Sequence, residues 1–174
     1  MSREECMRKK QIINMLHCNN DDETQELGIK MAMMESDLNF VMQYASDPAY
    51  ASNCAAIFTS LNYDTCKKYM DDLFSWIEDL NKYCAQDIYE YLKKAPGEII
   101  FESFLIALDA AVKRNNVAMA SILLLLVEDN LSLKRMTDVD SRCVEFINKC
   151  RKMEKIDCFW PKKARQKSHT VTER

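Results

Sequence analysis

The chain contains few residue combinations that support nucleophilic catalysis. Its two histidines are His17 and His169, and only His17 has a cysteine beside it, Cys18. Consecutive residues on a helix point about 100° apart and do not face each other. A nucleophile needs its base within hydrogen-bonding reach, so this pair does not predict a Cys–His enzyme.

The cysteines also lack the spacing of a metal site. Zinc sites usually contain close pairs such as Cys-x₂-Cys, whereas six and seven residues separate Cys143, Cys150 and Cys158. One heptad between Cys143 and Cys150 is instead the spacing of a buried helix face. The Glu-x-x-His motif of helical di-metal proteins is absent from the sequence. We therefore expect reduced thiols, no metal and no cofactor.

Three short acidic runs are candidates for a functional site. The simplest interpretation places them on exposed helix faces and in first helical turns, where carboxylates favour the helix dipole. A functional alternative is an acidic docking surface for a cationic protein, and a helical enzyme with paired carboxylates is another. The candidate binding residues are Asp71, Asp72, Glu78 and Asp79, with Asp21, Asp22 and Glu23 as weaker candidates.

The charge of the chain is unevenly distributed. Its 24 Lys and Arg nearly balance its 27 Asp and Glu, which gives a net charge of −3. Residues 149–174 hold nine basic and three acidic residues, so the preceding 148 residues hold 15 basic and 24 acidic ones, a net charge of −9. An acidic body repels nucleic acid and attracts a basic partner. We expect protein binding rather than nucleic-acid binding, and a solvated basic tail.

Glycine is scarce, with Gly28 and Gly97 the only two among 174 residues. Glycine provides the positive φ angles of hairpin turns and phosphate-binding loops. The scarcity therefore argues against a P-loop, a dinucleotide-binding fold and a multi-stranded sheet. It predicts an all-α protein.

The sequence predicts a cytoplasmic protein without membrane association. Residues 1–10 are highly charged and no apolar segment of a secretory signal follows them. The longest apolar run, residues 117–127, has about 11 residues, against roughly 20 for a transmembrane helix. That run is better explained as a buried helix, and we expect it to be the most buried element.

Apolar residues recur at helical spacing between helix-breaking residues. The predicted helices cover residues 4–17, 22–34, 38–42, 48–61, 64–80, 83–95, 98–114, 117–129 and 138–152. Their short connections favour antiparallel neighbours. We predict one helical domain, residues 1–160, followed by a disordered basic tail, residues 161–174. Stacked hairpins of a HEAT-like α-α solenoid are favoured over an irregular helical bundle.

The segment from Tyr69 to Asn81, YMDDLFSWIEDLN, resembles a motif of HEAT-like all-helical bacterial proteins, several of which are immunity proteins of polymorphic toxin systems. In that family a helix ends in a Leu-x-x-Leu-x-x-Trp-Leu-x-Asp-Leu-Asn type of sequence, and a helix of Ile-x-x-x-Leu type follows. The matching positions here are Leu73, Trp76, Ile77, Asp79, Leu80 and Asn81, then Ile88 and Leu92. Where the family often continues Trp-Pro-Gly-Ala, this chain has Lys82-Tyr83-Cys84-Ala85.

This resemblance covers about residues 10–130 and implies an α-solenoid that binds another protein and catalyses nothing. We therefore expect a non-enzymatic helical-repeat protein that neutralises a toxin with a basic surface by occluding it. The alternative is a structural or scaffold helical protein that self-associates, for example as a homodimer, through an apolar face.

Overall fold

A computed structural model describes residues 2–156 of the chain, and within this range all regular structure is helical, with no strand. The all-α prediction is confirmed, while the predicted tail, residues 161–174, lies outside the described residues. The helices are α1 (Arg3–Met15), α2 (Asp22–Met33), α3 (Asn39–Met42), α4 (Ala51–Ser60), α5 (Tyr63–Cys66), α6 (Met70–Trp76), α7 (Ala85–Lys94), α8 (Gly97–Lys113), α9 (Val117–Asp129), α10 (Leu131–Val139) and α11 (Ser141–Ile156).

Helix α8 lies at the centre of the contacts between helices. It packs against α6, α9, α10 and α11, while α1 packs on α2, α2 on α4, and α4 on α7. One apolar cluster runs through the described helices, with Phe58, Phe74 and Phe104 among its fully buried side chains. Trp76 is 8% exposed and lies in this core.

Several helices begin at a polar side chain that accepts a backbone N–H of the first turn. This acceptor satisfies one of the donors that a helix start leaves unpaired. These capping residues are Ser2 for α1, Asp21 for α2, Asn62 for α5, Asn116 for α9 and Asn130 for α10.

Helix ends are closed by asparagine amides. Many helices end at a glycine with positive φ, but neither glycine of this chain has a positive φ. After α1, the Asn20 amide donates to the carbonyl oxygens of Asn14 and Met15, at 2.7 and 3.0 Å. The buried Asn53 amide donates to Leu16 O at 2.8 Å.

Asn130 closes one helix and starts another with a single side chain. It is 4% exposed, and its amide nitrogen donates to the carbonyls of Leu92 and Ala95 at the end of α7, at 3.3 and 2.9 Å. Its side-chain oxygen accepts from Leu133 N of α10 at 2.9 Å. This residue therefore ties together the α7–α8 connection and the α9–α10 connection.

Both glycines are needed for close approach. A Cβ on Gly97 would lie 2.7 Å from the carbonyl carbon of Ser132, so α8 begins directly against the backbone of α10. A Cβ on Gly28 would lie 2.9 Å from Met15 Cβ. Gly28 therefore permits the close packing of α2 on α1.

Some predicted helix bounds and buried faces are wrong. The predicted helix 64–80 is divided into α5, a 3₁₀ turn at Lys67–Tyr69, and α6. Helix α6 ends at Trp76, and the Nε1 of this residue donates to Tyr83 O across the turn that follows. Helix α4 begins at Ala51 rather than at Pro48, because the Asp47 carboxylate accepts Ala49 N and stabilises a turn instead.

Other errors concern the second half of the chain and the exposed apolar residues. The predicted helix 138–152 is α11, which begins at Ser141, while α10 was not predicted. Leu125, within the run expected to be most buried, is 44% exposed. Leu27 and Met34, which lie at helical spacing in the predicted helix 22–34, are 51% and 78% exposed.

Replacing Asn130 with alanine should destabilise the fold strongly. Asn130→Ala leaves a backbone N–H and two carbonyls without their partner in a buried place, and we expect a loss of about 2–4 kcal/mol in the free energy of unfolding. The matched variant Asn62→Ala removes an exposed cap of one bond and should lose about 1 kcal/mol. Urea denaturation of both variants measures the difference. Equal losses would contradict the joining role of Asn130.

Candidate functional site

Asp71 and Asp72 occupy the first turn of α6, and both side chains are exposed. Among the described residues, neither carboxylate makes a hydrogen bond or an ion pair. The hydroxyl of Ser75, one turn later, donates to the backbone carbonyl of Asp71. Both carboxylates are therefore available to a partner.

Glu78 lies two residues beyond the end of α6 and is held in place by another helix. Its Oε1 accepts from the Asn116 amide at 2.7 Å. Asn116 also caps α9, since its side-chain oxygen accepts Met119 N at 3.1 Å. One amide thus connects the end of α6 to the start of α9 and fixes the direction of a half-buried carboxylate.

Asp79 serves the local turn. Its Oδ1 accepts from the backbone N–H and from the side-chain amide of Asn81, at 3.0 and 3.2 Å. Although adjacent in sequence, Glu78 and Asp79 therefore bind to different parts of the molecule.

A cleft of about 170 Å³ opens between α6 and α8 and is closed at one side by α9. We call it the α6–α8 cleft; the residues that define it include Asp71, Phe74, Glu78, Ile106, Arg114 and Met119. Phe74 and Met119 are buried and form an apolar floor. The structure brings Asp71 and Glu78 to this cleft, whereas Asp72 and Asp79 do not line it.

Sequence reasoning missed Ile106 and Arg114. Ile106 is 58% exposed at the cleft, although it lies within an apolar stretch of α8. The available signal was its position outside the helical stripe that contains Phe104, Leu105 and Leu108. Arg114, just after α8, makes no ion pair with a described residue.

The weaker candidates on α2 do not join this cleft. The Asp21 carboxylate caps α2 by accepting from Thr24 N at 2.8 Å and from Thr24 Oγ1 at 2.9 Å. Both hydrogen bonds lower the pKa of Asp21 below its ordinary value, and the bond from the Thr24 backbone has the larger effect. Asp22 and Glu23 are exposed in the first turn of α2. The helix-start interpretation therefore holds for Asp21.

A second, wider cleft of about 540 Å³ lies between α4 and α7. Asp87, Glu90 and Lys94 line it together with two tyrosines whose ring centroids are 4.7 Å apart. The tyrosines are held by the protein itself: Tyr63 donates to Tyr91 O, and Tyr91 donates to Leu61 O. Like the α6–α8 cleft, it is lined by two acidic side chains and one basic side chain.

The thiol and imidazole groups near one another are engaged in local structure. His17 Nδ1 accepts Asn19 N at 3.1 Å, and the Cys18 thiol donates towards the Asn19 side chain. Burial raises the pKa of Cys54 to about 12, so this thiol is protonated at neutral pH.

Across residues 2–156, no group of three or more His, Cys, Asp and Glu side chains is arranged to hold a metal ion. No helix in this range is both long and apolar enough to cross a membrane.

The capping role of Asp21 predicts a pH-dependent stability. A folded-state pKa below 3.8 means that ionised Asp21 stabilises the fold above this pH. That stabilisation is lost as the pH falls through the lower folded-state pKa. Asp21→Asn keeps a capping oxygen without titrating, so its difference from the wild type in unfolding free energy should shrink from about pH 5 to about pH 2.

Thermal denaturation across this pH range measures the effect. The control Asp21→Ala removes the cap at every pH and should remain less stable than the Asp21→Asn variant throughout. Parallel stability curves for the wild type and Asp21→Asn would contradict the assignment.

No protein family, curated protein or solved structure matches this chain.

Proposed function

We propose that this chain is a non-enzymatic helical protein that binds another protein, a toxin with a basic surface, and neutralises it by occlusion. The observation that carries the proposal is the α6–α8 cleft, where the carboxylates of Asp71 and Glu78 border an apolar floor. Buried apolar contact with a charged rim is the usual anatomy of a protein-binding surface. The toxin assignment draws on the family resemblance of the segment around Trp76.

Charge supports the choice of a basic partner. Asp71 and Asp72 are exposed without an intramolecular partner among the described residues, and Asn116 holds Glu78 at the cleft that Asp71 also lines. Exposed like charges attract an oppositely charged surface over about a Debye length and raise the association rate. A basic toxin surface, such as a nuclease active site, would be covered directly by such contacts.

A HEAT-like solenoid is the arrangement that we propose for the helices. The packed pairs join helices at most three places apart in chain order: α1 on α2, α2 on α4, α4 on α7, α7 on α9, and α8 on α6, α9, α10 and α11. Contacts between successive hairpins are the defining feature of solenoid proteins. Such a stack presents rows of helix ends and grooves for a partner.

Neutralising the exposed carboxylates should slow association. The test variant is Asp71→Asn/Asp72→Asn/Glu78→Gln, in which glutamine can still accept the hydrogen bond from Asn116. The partner is first captured from the source cell with the wild-type protein and identified. Surface plasmon resonance between about 50 and 200 mM salt should then give a slower association rate and a weaker salt dependence for the variant.

Asp79 is left unchanged in this variant because its carboxylate holds the turn at Asn81. The matched control is Asp21→Asn/Asp22→Asn/Glu23→Gln, which removes the same charge from α2. Unchanged kinetics in the test variant would contradict the binding surface. If the wild-type protein captures only other copies of this chain, and if its sedimentation depends on concentration, the scaffold alternative would be favoured.

A further inference from the structure

We propose that Asn116 is a positioning residue for Glu78: it presents this carboxylate to a lysine or arginine side chain of the partner, and it couples binding there to the start of α9. This inference rests on the proposed function and specifies how the connection between α8 and α9 regulates the same site. It follows from the hydrogen bonds that meet at Asn116 and from the weaker anchoring of Glu78 by its own segment.

Asn116 is fixed by three hydrogen bonds that do not involve Glu78. Its backbone N–H donates to Ala111 O of α8 at 2.9 Å, and its backbone carbonyl accepts from Ala120 N of α9 at 3.0 Å. Its side-chain oxygen accepts from Met119 N at 3.1 Å. Helices α8 and α9 therefore set the backbone and the side chain of Asn116, and its amide nitrogen donates to Glu78 Oε1 from a fixed place.

Glu78 is held less firmly by its own segment. It lies in the turn after α6, and its backbone N–H donates to Ser75 O at the longer distance of 3.3 Å. Among the described residues, the Asn116 amide is the one donor to its carboxylate, at 2.7 Å. Without this donor, the half-buried side chain of Glu78 would move between several staggered rotamers. The hydrogen bond thus orders Glu78 before a partner binds, so less side-chain entropy is lost on binding.

The Glu78 carboxylate keeps room for a cation. An ionised carboxylate has about four acceptor positions on its two oxygens, and the Asn116 amide binds at Oε1. A lysine or arginine side chain can therefore bind Glu78 while the hydrogen bond from Asn116 persists, and hydrogen bonds between ionised groups are stronger than neutral ones. Arg114 lines the same cleft but forms no ion pair with Glu78, so the carboxylate is not neutralised from within.

Binding at Glu78 and order at the start of α9 are linked in both directions. If the connection between α8 and α9 opens, the Asn116 amide leaves Glu78, and the carboxylate loses its fixed direction. A partner that binds the ordered carboxylate more tightly therefore favours the closed connection. By linkage, the closed connection raises the affinity for the partner by the same factor. For one ordered side chain this factor is about 2 to 10.

Hydrogen exchange tests the link from Glu78 to α9 in the full chain. The reporter is the Met119 backbone N–H, which donates to the Asn116 side chain and is followed by NMR. Glu78→Ala removes the acceptor of the Asn116 amide, and the Met119 N–H should then exchange about 2 to 10 times faster. Glu78→Gln keeps an acceptor oxygen, and its exchange rate should stay within about twofold of the wild type.

Tetralysine binding tests the link from Asn116 to Glu78. The probe is tetralysine with blocked termini, and the backbone N–H signal of Glu78 reports its binding at about 50 mM salt. The wild type should bind with a dissociation constant below about 10 mM. Asn116→Ser keeps a capping oxygen and the charge of the protein but removes the amide donor, so binding should weaken about 2- to 10-fold.

The matched control makes the same substitution at another helix start. Asn62 caps α5, and its amide binds no carboxylate of the described residues, so Asn62→Ser should bind tetralysine within about twofold of the wild type. Circular dichroism establishes that each variant is folded. If Asn116→Ser does not fold, Asn116→Thr replaces it, because threonine also caps helices.

Three results would overturn the inference: equal Met119 exchange in Glu78→Ala and the wild type, no saturable shift of the Glu78 signal up to about 10 mM tetralysine, or equal binding by Asn116→Ser and the wild type. Failure here is separable from failure of the proposed function. A toxin that binds the wild type and Asn116→Ser equally would leave the function standing and remove the positioning role. The expected tetralysine results without a captured toxin would leave the positioning role standing and remove the toxin assignment.

Discussion

The constraint on which the rest of the structure depends is that helix ends must find hydrogen-bond partners with almost no glycine available. Every helix leaves carbonyls unpaired at its end, and here buried amides replace the usual glycine turn. Asn53 donates to Leu16 O, and Asn130 donates to Leu92 O and Ala95 O. A backbone cap satisfies only its own helix, whereas each of these side chains comes from a distant part of the sequence. Helix termination and tertiary packing are therefore the same event in this fold.

The same principle builds the candidate site. The Asn116 amide that binds Glu78 belongs to the residue that starts α9. The direction of a surface carboxylate is thus fixed by a helix start rather than by a flexible loop. Preorganisation of this kind reduces the entropy lost when a partner binds. Asp71 is positioned by α6 itself, so the two rim carboxylates are held by different means but border one cleft.

Local signals explain which features the sequence could predict. The bounds of α9 follow from Asn116 at its start and the apolar run behind it, and they were predicted without error. Helix α10 was not predicted; Asn130 directly follows α9, and its side chain also starts this next helix. In the site, residue type identified Asp71 and Glu78 as candidates. Their meeting with Ile106 and Arg114 depends on how α6 packs against α8, which no local spacing encodes. Likewise, only the three-dimensional structure distinguishes the local hydrogen bonds made by Asp79 and Asp21 from a role in docking a partner.

The scarcity of glycine also acts on the chain before it folds. Glycine explores more backbone conformations than any other residue, and this freedom is lost on folding. Replacing a glycine by a residue that fits the native backbone changes stability by about 0.4–1 kcal/mol through the unfolded chain alone. Cys84 and Asn115 occupy the left-handed region, at φ of 55° and 51°, where glycine would be usual. At each of these turns the chain accepts a strained native backbone and in return has a less diverse unfolded ensemble.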